Sequence, residues 1–270
     1  MTLNEITEEN PIQVHVETPD IVATGISDIG HVRKENEDSI WIDDSGLVLA
    51  VADGMGGHER GAEASQTAIR VFQEGLNRQK IEEELQNCTL KMDLPPEIEC
   101  LYTIIARAVE DSANVLYARN LELMLKKYMG TTVVGLVLVQ DEQVLWFHIG
   151  DSRLYRWRDA TLKCLTTDHS LYAEWERDGR IGEAPGKNVI TRAIGVSPGV
   201  EADIEWDKRQ KDDIYILCSD GLTDMITDEH IKEILKDGND VDDMANSLVD
   251  AALSAGGIDN VSVVVCKVLQ

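Results

Sequence analysis

The stretch LVLAVADGMGG, residues 47–57, decides the fold. Leu47–Ala52 is an apolar run closed by turn residues, which reads as a buried strand. It runs directly into Asp53-Gly54, so the strand ends on a carboxylate. The arrangement recurs: Val144–Ile149 leads through Gly150 into Asp151, and Ile214–Ser219 leads into Asp220-Gly221. At the opposite polarity, Glu37-Asp38 precedes Ser39–Ile42, and Asp259 precedes Val261–Val265. If these strand ends converge, several acidic groups share one small space.

Further strands are expected at Ile21–Ile26, Thr132–Val139, Leu154–Trp157, Asp213–Cys218 and Asn260–Val268. Helical spacing of apolar residues predicts helices over Ala62–Leu76, Ile98–Leu116, Asp228–Leu235 and Val241–Leu253. The order is strands, long helices, strands, helices and a final strand, which is not a βαβ alternation. It suits antiparallel sheets covered by segregated helices, an α+β class. The acidic stretch Glu82–Glu99, with Pro95-Pro96, is expected to be a surface loop inside one domain. Polar residues 1–20 form a lead-in or an edge strand.

The chain has 270 residues, with 25 Lys plus Arg against 50 Asp plus Glu, a formal charge of −25. That balance excludes a basic nucleic-acid footprint and argues against docking on anionic lipid. Hydrophobic residues at 43% and charged residues at 28% describe an ordinary globular chain that can fill a core. No apolar run approaches the ~20 residues of a membrane-spanning helix. No secretory signal is visible, so a cytoplasmic location is expected. Five scattered cysteines without a CxxC pair suggest neither a disulfide framework nor a zinc site.

Like charges brought together cannot all ionise unless something neutralises them. Hard divalent cations do this with oxygen ligands, and Mg²⁺ and Mn²⁺ bind a few carboxylates plus water. A single Asp-Gly after a strand is ordinary turn chemistry, but five strand-end carboxylates together favour a metal. Other chemistries fail on spacing. Gly54-Met55-Gly56-Gly57 has Glu59 where a dinucleotide loop needs its last Gly, and Gly182–Lys187 is one residue short of a phosphate loop. His58-Glu59 lacks the second zincin His, because position 62 is Ala. Cys100 and Arg107 are misspaced for a cysteine phosphatase, and no GxSxG elbow occurs. Water activated by metal is the most economical remaining chemistry.

Seven blocks then occur in order: Arg33-Lys34-Glu35-Asn36-Glu37-Asp38, Asp53-Gly54-Met55-Gly56-Gly57-His58, Gly61-Ala62-Glu63-Ala64-Ser65, Met129-Gly130-Thr131-Thr132, Gly150-Asp151-Ser152-Arg153, Ser219-Asp220-Gly221-Leu222 and Asp259-Asn260. Together they resemble the metal-dependent protein phosphatases, the protein phosphatase 2C (PPM) family in its compact bacterial form, over about residues 21–268. The resemblance implies a single catalytic domain over 21–268, after the lead-in 1–20. Its fold would be a central antiparallel β-sandwich flanked by helices, in four αββα layers. It implies a centre of two Mn²⁺ or Mg²⁺ ions, with Asp53 bridging, Gly54 offering its carbonyl, Glu37 on one ion, and Asp220 and Asp259 on the other. Asp38 would orient water or ligate directly. Asp151, Asp220 and Asp224 match a third, weaker ion. Arg33 matches the phosphate-binding arginine and His58 the general acid.

The activity implied is hydrolysis of phosphoserine and phosphothreonine in proteins, opposing a Ser/Thr kinase in signalling. The expected form is a monomer without nucleic-acid or membrane partners. The alternative is a weak pseudo-phosphatase that binds phosphoproteins as a regulator. An acidic metal-buffering protein is the third reading, disfavoured by Arg33 and the ordered strands. No motif assigns a role to the 170–191 segment.

Overall fold

The computed structural model describes residues 10–56, 60–87, 94–139 and 142–270. The chain opens with β1 (Ile12–Glu17), β2 (Ile21–Asp28), β3 (Asp38–Ile42) and β4 (Val48–Met55). Three helices follow: α1 (Arg60–Gly75), α2 (Arg78–Asn87) and α3 (Pro96–Glu122). Strands resume with β5 (Gly130–Thr131), β6 (Val133–Leu138), β7 (Gln143–Ile149), β8 (Arg153–Arg158) and β9 (Thr161–Cys164). Then come α4 (Leu171–Arg177), β10 (Asp203–Lys208), β11 (Ile214–Cys218), α5 (Asp220–Thr223), α6 (Asp228–Asp237), α7 (Val241–Ser254) and β12 (Val261–Val268).

One sheet has the order β1-β2-β12-β11-β8-β9 and the other β10-β7-β6-β4-β3, with antiparallel pairing throughout both paths. The alternation along β4 shows why they stack. Leu49 and Val51 face the other sheet, beside Val134, Tyr215 and Val264. Val48, Ala50 and Ala52 face the opposite way, beside Phe72, Ile105 and Leu116 of α1 and α3. On the far side of the molecule, Ile216 and Val263 pack against Met244, Ala245 and Leu248 of α7. Each sheet is therefore buried on both faces, which is why its central strands read as continuous apolar runs. The result is the four-layer α+β sandwich. Each fully buried aliphatic side chain supplies about 1.5–3 kcal/mol.

The helices end where the sequence supplies caps. Thr227 accepts from the His230 amide at the start of α6, and Asp240 from the Asp243 amide at the start of α7. Pro96 occupies the first turn of α3, where its missing N–H costs nothing.

The acidic stretch expected as a loop is partly helical. Residues 78–87 form α2, because Ile81 is buried and Leu85 packs on the same core from one face of a charged helix. Of the two alternatives for residues 1–20, Ile12–Glu17 takes the edge strand, paired with β2. Strands β9 and β10 and helices α4 and α5 were not expected. All four are short, and β10 (DIEWDK) carries too many charges to read as a strand. A disulfide was also not anticipated, yet Cys100 is disulfide-bonded.

The α3 end is tied to the chain that follows it by Asn120, which is fully buried. Its Nδ2 donates to the Met129 and Gly195 carbonyls at 2.8 and 2.9 Å, and its Oδ1 accepts from Met129 N at 2.9 Å. Replacing it strands three backbone groups in a dry site. Asn120→Ala is expected to lower unfolding stability by about 2–3 kcal/mol in a denaturant titration; a loss below about 0.5 kcal/mol, the size of a neutral surface change, would show that these bonds contribute nothing.

Candidate metal centre

Asp38 and Asp53 are direct cross-strand partners on β3 and β4. Like charges so placed repel, and the backbone holds them there. The Asp53 carbonyl accepts from Thr131 Oγ1 at 2.8 Å and Thr132 N at 2.9 Å, while its amide donates to Thr132 Oγ1 at 3.1 Å. Asp38, 6% exposed, accepts from Ser219 Oγ at 2.8 Å. Ser219 lies between β11 and α5 in the opposite sheet, so this bond joins the two sheets. Asp220 follows as the first residue of α5.

Glu37 is fixed at four points. Its amide donates to Asn260 Oδ1 at 2.9 Å, and its carbonyl accepts from Gly54 N at 3.1 Å and Ser65 Oγ at 2.6 Å. Its Oε1 accepts from Gly61 N at 2.9 Å, in the first turn of α1, where the helix end favours a carboxylate. No side chain fits at these crossings. A Cβ on Gly54 would stand 2.1 Å from the Gly61 carbonyl oxygen, and one on Gly61 would stand 2.4 Å from Glu37 Oε1.

Asn260 also donates through Nδ2 to the Ile29 and Glu35 carbonyls at 2.9 and 3.0 Å. The 29–37 loop is thus stapled to the start of β12, next to Asp259. Arg33 Nη2 lies 2.6 Å from Asp259 Oδ2, with its side chain 46% exposed at the mouth of the site. Behind this group, Asp151, Asp220 and Asp224 line a cavity of about 160 Å³ with Arg153 and Asp168. Arg153 spends its fork on Asp168, at 2.8 and 2.7 Å.

The fold therefore brings Arg33, Glu37, Asp38, Asp53, Gly54, Asp220 and Asp259 to one end of the sandwich, with Asp151 and Asp224 in the adjoining cavity. His58 lies outside the described residues. Thr131, Thr132, Ser219 and Asn260 sit in motifs noticed in the sequence, but their positioning roles were not assigned. Polar residues repeated beside strand-end carboxylates were the available signal.

The protein phosphatase 2C profile matches residues 31–254. The chain belongs to the protein phosphatase 2C family. Among its relatives, a serine/threonine phosphatase stp of Listeria monocytogenes is 35% identical over 251 residues, covering 89% of this chain and 93% of that protein. The serine/threonine protein phosphatase PstP of Mycobacterium tuberculosis is 34% identical over 249 residues, covering 90% of this chain and 44% of PstP. A crystal structure of a PstP catalytic domain in complex with two manganese ions superposes with a TM-score of 0.76 at 33% identity, covering 93% of this chain and 99% of that one.

The residues present in this phosphatase 2C chain fit divalent ions. Burial, followed by the charges of Asp38, Asp220, Asp151 and Asp259, drives the Asp53 carboxyl well above its usual range. Burial is also the main cause for Asp38, pushed up to about 7 against the lowering bonds from Ser262 and Ser219. Asp151 is raised to about 7 by burial and by Asp220, and Asp220 to about 6 by burial, Asp259 and Asp224. Asp220 Oδ1 is buried with no hydrogen-bond partner among the described residues. A hard cation is the complement such an oxygen set lacks.

These raised values set a direction with pH. In the metal-free fold Asp38, Asp151 and Asp220 hold protons that the unfolded chain has already released near pH 4. The stability they confer is present below that pH and is lost as pH rises through about 6–7. Metal binding requires the same groups deprotonated. The gain in Tm on adding Mn²⁺ is therefore expected to be larger at pH 8 than at pH 5.5, and Asp38→Asn is expected to stabilise the metal-free protein at pH 8. Calorimetric scans check both; a Mn²⁺ gain that is flat with pH would remove the carboxylates from the site.

Proposed function

We propose that this chain hydrolyses phosphoserine and phosphothreonine esters on proteins in a metal-dependent reaction, in opposition to a Ser/Thr kinase. The observation that carries the reading is the convergence of buried Asp38 with half-buried Asp53 and Asp220, one Asp220 oxygen lacking a partner among the described residues, beside the exposed guanidinium of Arg33. The names of the Listeria and Mycobacterium relatives, and the manganese ions bound to the PstP domain, support the same reading.

Asp53, with Glu37, the Gly54 carbonyl, Asp220 and Asp259, would hold two ions. Asp151 and Asp224, sharing Asp220, would hold a third. When bound, such ions supply Lewis acidity, neutralising phosphate charge and acidifying water toward neutrality.

The chain's own residues do the rest. Asp38, held by Ser219, presents a carboxylate oxygen that can orient a water at the site. Arg33 stays a cation: burial opposes its charge, but the charge and hydrogen bond of Asp259 outweigh that and raise its pKa. Its fork suits two phosphate oxygens. A cation held by Asp259 would weaken its hold on Arg33, whose Nη2 would then be freer to turn to phosphate. His58 is the proposed donor of a proton to the departing serine or threonine oxygen.

Turnover of a phosphothreonine peptide with Mn²⁺ and with excess chelator tests the reaction, and turnover that ignores the chelator would overturn it. Arg33→Ala is expected to raise KM and lower kcat/KM by about 2–3 kcal/mol, roughly 30- to 150-fold. An unchanged KM would return Arg33 to the role of a surface charge. Asp53→Asn is expected to abolish activity while the fold survives, with calorimetry showing the loss of tight Mn²⁺ binding; two unweakened sites would contradict its bridging role.

A further inference from the structure

Gly150, at the end of β7, turns the chain so that Asp151 enters the metal cavity. Its φ of +101° belongs to the region that favours glycine, and a Cβ there would stand 2.6 Å from Thr132 Cγ2. The turn is gripped at both backbone groups by one residue. His169 N donates to the Gly150 carbonyl at 2.9 Å, and Gly150 N donates to His169 Nδ1 at 3.2 Å. We propose that His169 is a positioning residue of the phosphatase, a two-point clamp on Gly150 that sets the direction of the Asp151 carboxylate. The proposal rests on the reading of Asp151 as a metal ligand.

The ring is built to act as an acceptor toward Gly150. His169 is 7% exposed and stacks on His148, with centroids 4.5 Å apart and planes 22° from parallel. His148 is itself fixed, its Nε2 lying 2.9 Å from the Thr167 carbonyl. His169 Nε2 lies 3.4 Å from Asp203 Oδ2, and Asp203 is the cross-strand partner of His148 on β10. Arg192 Nη1 approaches the same nitrogen at 3.2 Å and donates to Asp203 Oδ1 at 2.7 Å. The Gly150 amide takes the Nδ1 lone pair, so we assign the ring proton to Nε2, 3.4 Å from Asp203 Oδ2, where it shares that side of the ring with the Arg192 guanidinium. Arg192 and His169 are then two donors converging on one acceptor, and the carboxylate fixes the tautomer. Burial first, then the charges of His148 and Arg192, holds the His169 pKa below its ordinary value, which keeps the ring neutral.

This proton assignment also decides against another use of the cluster. One ligand atom each from His148, His169 and Asp203 lies within 4.8 Å of the others, a spacing compatible with a metal ion. A ligating His must turn a free lone pair to the ion. His169 has none, because Nδ1 is engaged by Gly150 and Nε2 carries the proton. Asp203 is already neutralised by Arg192. The arrangement is a clamp, anchored further by Thr191 N donating to the His169 carbonyl at 2.7 Å.

Two substitutions separate the clamp from simple packing. In His169→Asn the amide oxygen takes the place of Nδ1 and keeps an acceptor for Gly150. In His169→Gln the amide reaches the place of Nε2 and loses that acceptor. Both lose the stacked ring, so both are expected to fall in Tm by a similar amount. Hydrogen exchange of the Gly150 amide, measured on the metal-free proteins, is expected to quicken about tenfold in His169→Gln, the loss of one ordinary hydrogen bond, and to stay near the parent in His169→Asn.

The Mn²⁺ concentration that fills the weakest site, read by titration after the tight pair is occupied, is expected to rise about tenfold in His169→Gln alone, matching that same bond. Equal exchange and equal titrations in the two variants would overturn the clamp. A Gly150 difference with no change in the weak-site titration would overturn its link to Asp151. Asp151→Asn, run alongside, distinguishes the layers. A weak site that survives this substitution removes Asp151 from metal binding, and with it the metal half of the proposal, whatever Gly150 shows.

Discussion

Asp38 and Asp53 face each other on paired strands, Asp220 reaches them from the opposite sheet, and the burial of Asp38 and partial burial of the other two thin the water that would screen their charges. Two unit charges ~4 Å apart interact by about 4 kcal/mol at an effective dielectric near 20, whereas a hydrogen bond contributes about 1 kcal/mol net. No single bond holds such a group in place without its counter-ion. The structure answers with many: three on the backbone of Asp53, one from Ser219 to Asp38, and four at Glu37. The glycines at 54 and 61 belong to the same constraint, because they let the chains approach closely enough for those bonds to form. Repulsion that strains the metal-free fold becomes attraction once cations occupy the site.

The features of the sequence that were legible are those with a physical period or a chemical oddity. Strands β2, β4, β6, β7, β11 and β12 are buried on both faces, so they appear as apolar runs whatever their neighbours. The strand-end aspartates stand out because charge interrupts those runs abruptly. The edge strand β10 was hidden for the opposite reason: Asp203, Glu205 and Lys208 are tolerated where water reaches the strand, so no period survives. Helix α2 was masked by its eight charged or amide-bearing residues around a narrow apolar stripe of Ile81 and Leu85.

The supporting layer of the site was harder to read than its ligands. A threonine that caps a backbone amide, as Thr132 does, has no spacing rule distinguishing it from a strand threonine. Asn260 is an ordinary turn residue until Glu37, Ile29 and Glu35 are seen to converge on it. Such roles depend on contacts between residues 79 positions apart for Thr132 and more than two hundred for Asn260, and local pattern carries no information about them. His169 is invisible in the same way, because its partners Gly150, Thr191 and Asp203 come from three separate stretches of chain.

The strand that comes latest in the chain lies at the centre of its sheet. β12 inserts between β2 and β11, and the residue just before it, Asn260, closes the 29–37 loop. During synthesis the early strands leave the ribosome long before their neighbour exists, with β2 exposing an unpaired edge toward the gap. Loop closure over that distance is slow, since its entropy cost comes before any of the contacts that repay it. A nascent chain therefore has no assembled acidic centre until its final strand docks. The 29–37 loop and the Asp259 carboxylate meet only when β12 lies between β2 and β11.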